Sequence, residues 1–161
     1  MKNQLLIIII LFLTSSYAYS QKTIFVKGKN YEGFIFPKEH PIWGFPPESG
    51  RYTPSIEDIS MAEKILKDSI GTDYVRDHQR QYKKPPINKR TLGKYFRQYV
   101  GYLTEEGKVI IRIYLYRDLK MRCEKFSQDI IDVQDGGSSH WNININLSSN
   151  ELSNMSVNGI S

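Results

Sequence analysis

The side chains able to do chemistry in this chain are few and widely spaced. His40, His78 and His140 are the three histidines, and none lies at the short spacing that places two ligands on one metal ion. Each reads as a surface or half-buried histidine, so no metal and no cofactor is expected. Cys123 is the single cysteine, with Lys120, Arg122 and Lys125 beside it. Those cations would favour a thiolate, yet no cysteine motif surrounds it, and the sequence leaves open whether Cys123 is reactive or simply buried. Asp132 and Asp135 precede Gly136-Gly137. Calcium loops carry acids more densely and add a distal glutamate, so the glycine pair reads instead as a turn with positive φ. Asp135 and His140 are the residues beside which a small hydrolase or transferase site would fit.

Two surfaces have compositions suited to binding. Between positions 76 and 97 lie Arg76, Arg80, Lys83, Lys84, Lys89, Arg90, Lys94 and Arg97, against one acid, Asp77. Tyr82, Tyr95, Phe96 and Tyr99 are interleaved with them. Basic charge with stacking side chains attracts polyanions. A basic patch of Lys83, Lys84, Lys89, Arg90 and Lys94 is therefore expected on a chain that is otherwise slightly acidic. The second surface is one side of a sheet. If Ile111, Ile113 and Leu115 point to a core, Arg112, Tyr114 and Tyr116 point away from it. By the same alternation Trp141, Ile143, Ile145 and Leu147 point in, while Asn142, Asn144 and Asn146 point out. Arg97 and Tyr99 are expected to complete this outer face. Rigid aromatics with Arg and Asn make a good contact surface.

The elements that must position these residues follow from periodicity. Residues 23–27 and 31–36 read as an N-terminal hairpin or two edge segments. Residues 37–54 hold five prolines, with Trp43 and Phe45 among them, and form a loop. From Pro54 to Ile70, Ile56, Ile59, Ala62, Leu66 and Ile70 make one apolar stripe, so a helix is expected there. Thr53 or Ser55 can cap it, Glu63 and Lys67 form an outward pair, and Gly71 ends it. Residues 92–103 and 109–116 alternate as strands, 130–134 begins another, and 141–147 and 152–157 follow. One amphipathic helix packed across a four- to five-stranded antiparallel meander is an α+β domain, of the cystatin-like or NTF2-like kind.

The first twenty residues concern destination rather than fold. Lys2 precedes an unbroken apolar run from Leu5 to Leu13, and Ala18-Tyr19-Ser20 supplies a small-residue stop. This is the pattern of a secretory signal peptide, too short for a membrane span of about 20 residues. Cleavage is expected after Ser20, with Ala18 as the alternative, so residues 21–161 form one domain. With one cysteine, an exported chain has no internal disulfide and must be stabilised by packing. Alanine occurs only at 18 and 62, whereas Ile, Asn, Lys and Tyr are abundant, the bias of AT-rich bacterial genomes. The helix with Ala62-Glu63, the run from Arg97 to Tyr102, Asp135-Gly136-Gly137 before an aromatic strand, and the closing Val157-Asn158-Gly159 resemble small exported Bacteroidota proteins over about residues 50–161. The resemblance implies compartment and fold, and no activity.

Together these readings lead to a non-catalytic binding module exported to the periplasm or beyond. Its expected partner is an envelope macromolecule, a protein or an anionic glycan, with nucleic acid unlikely because of the compartment. An inhibitor or immunity-type protein acting through the proline loop and Trp43 is a further alternative. The exported protein is expected to begin at Gln21, which N-terminal sequencing or intact mass checks. A secreted form still carrying Leu5–Leu13 would contradict the signal peptide.

Overall fold

The computed structural model of the chain describes residues 22–47, 50–79, 85–117 and 124–159. Residues 1–20, read above as a signal peptide, lie outside the described residues, as do Cys123, Lys83 and Lys84. In chain order the elements are β1 (Ile24–Lys27), β2 (Glu32–Phe36), β3 (Arg51–Tyr52), α1 (Ile56–Ser69), α2 (Asp73–His78), α3 (Lys89–Leu92), β4 (Phe96–Leu103), β5 (Val109–Tyr116), α4 (Lys125–Gln128), β6 (His140–Asn146) and β7 (Glu151–Val157). A 3-10 turn, Gly137–Ser139, leads into β6.

Local chemistry accounts for the helix. Ser55 accepts from the Asp58 amide at 3.1 Å while the Asp58 carboxylate accepts from the Ser55 amide at 2.9 Å. This reciprocal pair satisfies two donors that the first turn leaves free. Of the two caps the sequence offers, the chain uses Ser55. Glu57 and Asp58 stand at the positive end of the helix dipole. Gly71, at φ 97°, follows the helix in a conformation that side chains avoid.

The sheet has seven strands in the order β1-β2-β4-β5-β6-β7, with β3 pairing β4 beyond the end of β2. The expected meander is present as β4 through β7, all antiparallel. Two differences enlarge it. The N-terminal hairpin joins the sheet because β2 runs parallel to β4, with Gly33 opposite Arg97 and Phe36 opposite Val100. Parallel neighbours need a long crossover, and residues 37–95 supply it, α1 included. Arg51 and Tyr52, expected within a loop, also form the two-residue β3. The stretch 130–134 is not a strand, because side chains of the sheet satisfy its backbone instead. No helix among the described residues is long and apolar enough to cross a membrane.

The main core lies between α1 and one side of the sheet. Ile59, Ala62 and Leu66 meet Ile35, Tyr99, Ile111, Ile113, Ile143 and Ile145, all fully buried. Ile56, expected on the helix stripe, is instead exposed at the first turn. Glu63 also differs from expectation. It does not pair outward with Lys67 but is buried beneath the helix, and the outward i,i+4 pair is Lys64 with Asp68 at 2.7 Å.

The cause is Arg97, which is 0 % exposed at the centre of the core. Its Nε and Nη2 donate to the two oxygens of Glu63 at 3.1 and 3.4 Å. Nη2 also donates to the Leu92 carbonyl at 3.0 Å, and Nη1 to that of Tyr95. The Tyr99 hydroxyl donates to Glu63 Oε1 at 2.9 Å. Burial first, and then the Glu63 charge, hold that phenol well above its ordinary pKa, so it remains a donor. Arg97 and Tyr99 are therefore core residues and not part of any outer binding face. Their strand partners are Leu115 and Ile113, which lie on the helix side.

Removing one partner of a buried ion pair strands the other charge. Glu63→Leu is expected to cost about 3–5 kcal/mol in urea unfolding, and Glu63→Leu with Arg97→Met to recover most of that loss. Equal stability of the single variant and the wild type would show that the pair does not tie α1 to the sheet.

Candidate functional site

The opposite side of the sheet carries the even-numbered residues of β4, β5 and β6. Register places Gln98 opposite Tyr114, Arg112 opposite Asn144, Tyr114 opposite Asn142 and Tyr116 opposite His140. This side is not an open plane. Two segments lie over it and leave a groove of about 600 Å³ between them.

The first wall is the stretch after α4. Gln98, fully buried, donates to the carbonyls of Phe126 at 2.8 Å and Asp129 at 2.7 Å, and accepts from the Ile131 amide at 3.0 Å. The Tyr116 hydroxyl donates to the Ile131 carbonyl at 2.8 Å. Phe126 wedges edge-on between Phe96 and Tyr116, at ring separations of 5.2 and 5.0 Å. Ile131 and Val133 pack on this small second core. Tyr116, expected as an exposed contact residue, is thus buried and structural, its hydroxyl pKa pushed up chiefly by burial.

The second wall is the proline loop. Arg51, almost fully buried, donates through Nη2 to the Pro37 carbonyl at 3.1 Å and through Nη1 to that of His40. Phe45 turns inward, its ring 5.9 Å from Tyr102 and 6.4 Å from Tyr114. Trp43 does the reverse and is 99 % exposed beside the groove. Gly44, at φ 77°, makes the turn that sends these two neighbours apart.

Arg112 lies on the floor, half-buried. Its Nη1 donates to Asn144 Oδ1 at 3.0 Å and its Nη2 to Asn142 Oδ1 at 2.6 Å. Asn144 Nδ2 in turn donates to the Tyr102 hydroxyl at 2.7 Å. The guanidinium carbon stands 5.3 Å from the centre of the Tyr114 ring, a cation–π contact. A guanidinium has five N–H donors. Two are engaged here, both by neutral amides, and no carboxylate among the described residues pairs with the charge. Burial raises the hydroxyl pKa of Tyr102 and Tyr114, and the Arg112 charge opposes that rise. Asp129 and Asp132 are exposed along the first wall, and Asn154 and Asn158 complete the lining.

His140 also faces the groove. Its Nδ1 meets the Asp135 backbone carbonyl at 3.2 Å, not the carboxylate, so the two residues form no acid–base pair. Its Nε2 is buried without a protein partner. The Asp135-Gly136-Gly137 turn has the expected positive φ, 101° and 54°. A side chain at Gly136 would also collide with the His140 ring, 2.4 Å from Nδ1. Among the described residues no three His, Cys, Asp or Glu side chains gather as metal ligands.

Of the residues expected to share a binding face, the fold brings together Arg112, Tyr114, Asn142 and Asn144. It removes Arg97 and Tyr99 to the core and Tyr116 to the second cluster. Sequence reasoning missed Gln98, Tyr102 and Arg51. The even parity of β4 was the available signal for Gln98 and Tyr102, whereas nothing local marks Arg51. Large apolar residues in a loop usually lie on the core, which Phe45 does and Trp43 does not. In the expected basic patch, Lys89 and Arg90 are exposed on α3 and Lys94 is exposed just after it, all away from the groove. No family model, curated protein or solved structure matches the chain.

Gln98→Leu should release the first wall with little effect on the main core. Amide exchange at Ile131 is expected to accelerate at least tenfold, while the amides of α1 keep wild-type protection. Hydrogen-exchange NMR checks this, and unchanged protection at Ile131 would show that other contacts hold the wall.

Proposed function

We propose that this protein is an exported, non-catalytic binding module of the bacterial envelope, and that the groove over β5 and β6 holds an anionic glycan. The observation that carries the reading is Arg112: a half-buried cation held in place by two asparagines and balanced by no carboxylate among the described residues. Desolvated charge is costly unless something compensates it. An acidic group entering the groove would do so through charge-assisted hydrogen bonds to donors already oriented. The remainder of the lining suits a sugar acid. Trp43 offers an exposed flat ring, Asn142 and Asn154 offer amides, and Asp129 and Asp132 can accept from hydroxyls. Pockets that bind small groups combine such aromatic area with a few placed polar atoms.

Residues 1–20 as signal peptide, the kinship with small exported Bacteroidota proteins, and a cystatin-like or NTF2-like reading of the helix over its meander belong to the same proposal. The inhibitor reading stands second, supported by Trp43, whose ring is 99 % exposed on the proline loop.

Titration with oligogalacturonate, beside neutral dextran oligomers of equal length, tests the glycan reading. Arg112→Gln should weaken the acidic ligand by about 1.5–3 kcal/mol, roughly ten- to hundredfold, with a wild-type thermal melt. Equal binding by wild type and variant, or equal binding of neutral and acidic oligomers, would overturn it. Retention of a protein from the envelope fraction by wild type but not Trp43→Ala, with no glycan bound, would favour the inhibitor.

A further inference from the structure

On the helix side of the sheet, a cleft of about 340 Å³ opens between α1, α3 and the β1–β2 turn. Five cations line it: Lys29 from the turn, Lys64 and Lys67 from α1, and Lys89 and Arg90 from α3. All five are exposed. Three separate parts of the chain therefore deliver like charges to one concavity, an arrangement with a repulsive cost that folding alone does not require.

The neighbouring acids do not balance it. Glu63 lies at the floor, but both its oxygens are engaged by Arg97 and Tyr99. Asp68, an exposed carboxylate on α1, pairs with Lys64 at 2.7 Å. Its pKa is lowered first by that bond and then by the charges of Lys64, Lys89 and Lys67. Among the described residues, Lys29, Lys67, Lys89 and Arg90 meet no carboxylate at pairing distance.

The scaffold beneath is firm. Asn88 caps α3 by accepting from the amides of Arg90 at 2.9 Å and Thr91 at 3.1 Å. Thr91 donates back to the Pro86 carbonyl at 2.6 Å, and Arg97 grips the Leu92 carbonyl from below. Gly93 neighbours the turn, where an added Cβ would make an ordinary van der Waals contact with the Asn30 carbonyl oxygen at 3.5 Å. Lys64 and Lys67, three residues apart, share one face of α1.

We infer that this cleft is a second binding site, separate from the groove, for a group bearing several phosphates. Multiply charged phosphate fits better than a lone carboxylate because at least four unpaired cations surround the space. Lysines suit it as movable point charges, and Arg90 can bind two of its oxygens together. A soluble oligophosphate and the phosphates of an anionic lipid headgroup present the same chemistry.

The test uses inorganic tripolyphosphate and, separately, vesicles of phosphatidylcholine with phosphatidylglycerol, all at one ionic strength. Tripolyphosphate is expected to raise the melting temperature and to shift the amide resonances of Lys29, Lys67, Lys89 and Arg90. Lys67→Gln with Lys89→Gln and Arg90→Gln should weaken its binding at least tenfold without altering the melt of the free protein. Arg112→Gln should leave it unchanged, which separates this site from the groove. Vesicle binding that the triple variant loses would assign the phosphates to a lipid surface. Tripolyphosphate binding without vesicle binding would assign them to a soluble ligand. Equal affinity of wild type and triple variant, shifts spread over lysines remote from the cleft, or no binding of either probe would overturn the proposal.

Discussion

The buried contact of Arg97 with Glu63 and Tyr99 determines which side of the sheet is which. A strand turns successive residues to opposite faces, so a fully buried guanidinium at 97 commits Tyr99 and Gly101 to the helix side and Phe96, Gln98 and Tyr102 to the other. A register slip of one residue would expose Gln98 to the core and leave Arg97 facing Phe126, with Glu63 unpaired. The pair adds little net stability, because desolvation offsets much of the attraction. Its consequence is specificity. It fixes the parity of β4, and through the ladder to β5 and β6 it fixes Arg112, Asn142 and Asn144 in the groove. The same guanidinium holds the Leu92 carbonyl and so seats α3, which carries Lys89 and Arg90.

The side away from the helix is built on a different principle. Residues 129–133 run across the sheet without joining it as a strand. Their backbone groups are met by Gln98 and by Tyr116, side chains that rise from the sheet surface. The proline loop is held in the same manner by the Arg51 guanidinium on two carbonyls. Apart from the two-residue β3 at the end of the proline loop, both walls thus hang on side-chain hydrogen bonds and a few aromatic contacts, not on a strand ladder. Such segments open at lower free energy than the core. A groove with separable walls over a rigid floor suits a site that must admit and release a ligand.

Much of this was legible in the sequence. The stripe and capping pair of α1, the alternation of β5 and β6, and the glycine turns at 71 and 136 are local signals, and local chemistry decides them. The errors share one cause, which is long-range pairing. Arg97 reads as a surface cation because burial of arginine is rare, and only Glu63, thirty-four residues away, makes burial tolerable. Residues 130–134 have strand composition, and their fate depends on whether an edge or a side chain meets them. The parallel contact of β2 with β4 leaves no local mark at all. For the groove, alternation marked Arg112, Tyr114, Asn142 and Asn144, yet not that two loops would close over them.

A comparison of Arg112 with Arg51 and Arg97 supports the proposal that it is more than a structural support. Arg97 has a carboxylate and two carbonyls, and its position is fully compensated. Arg51 has two carbonyls and the nearby charge of Glu39, enough for a residue that fastens a loop. Arg112 has two amide oxygens, contributed by strand neighbours that would be in place without it. It fastens no loop and bridges no distant elements. Those two amides orient the guanidinium, the Tyr114 ring supports it, and no carboxylate among the described residues pairs with the charge. Of Arg51, Arg97 and Arg112, only Arg112 is held by neutral amide side chains, and an anion of the kind proposed above would supply the charge those amides lack.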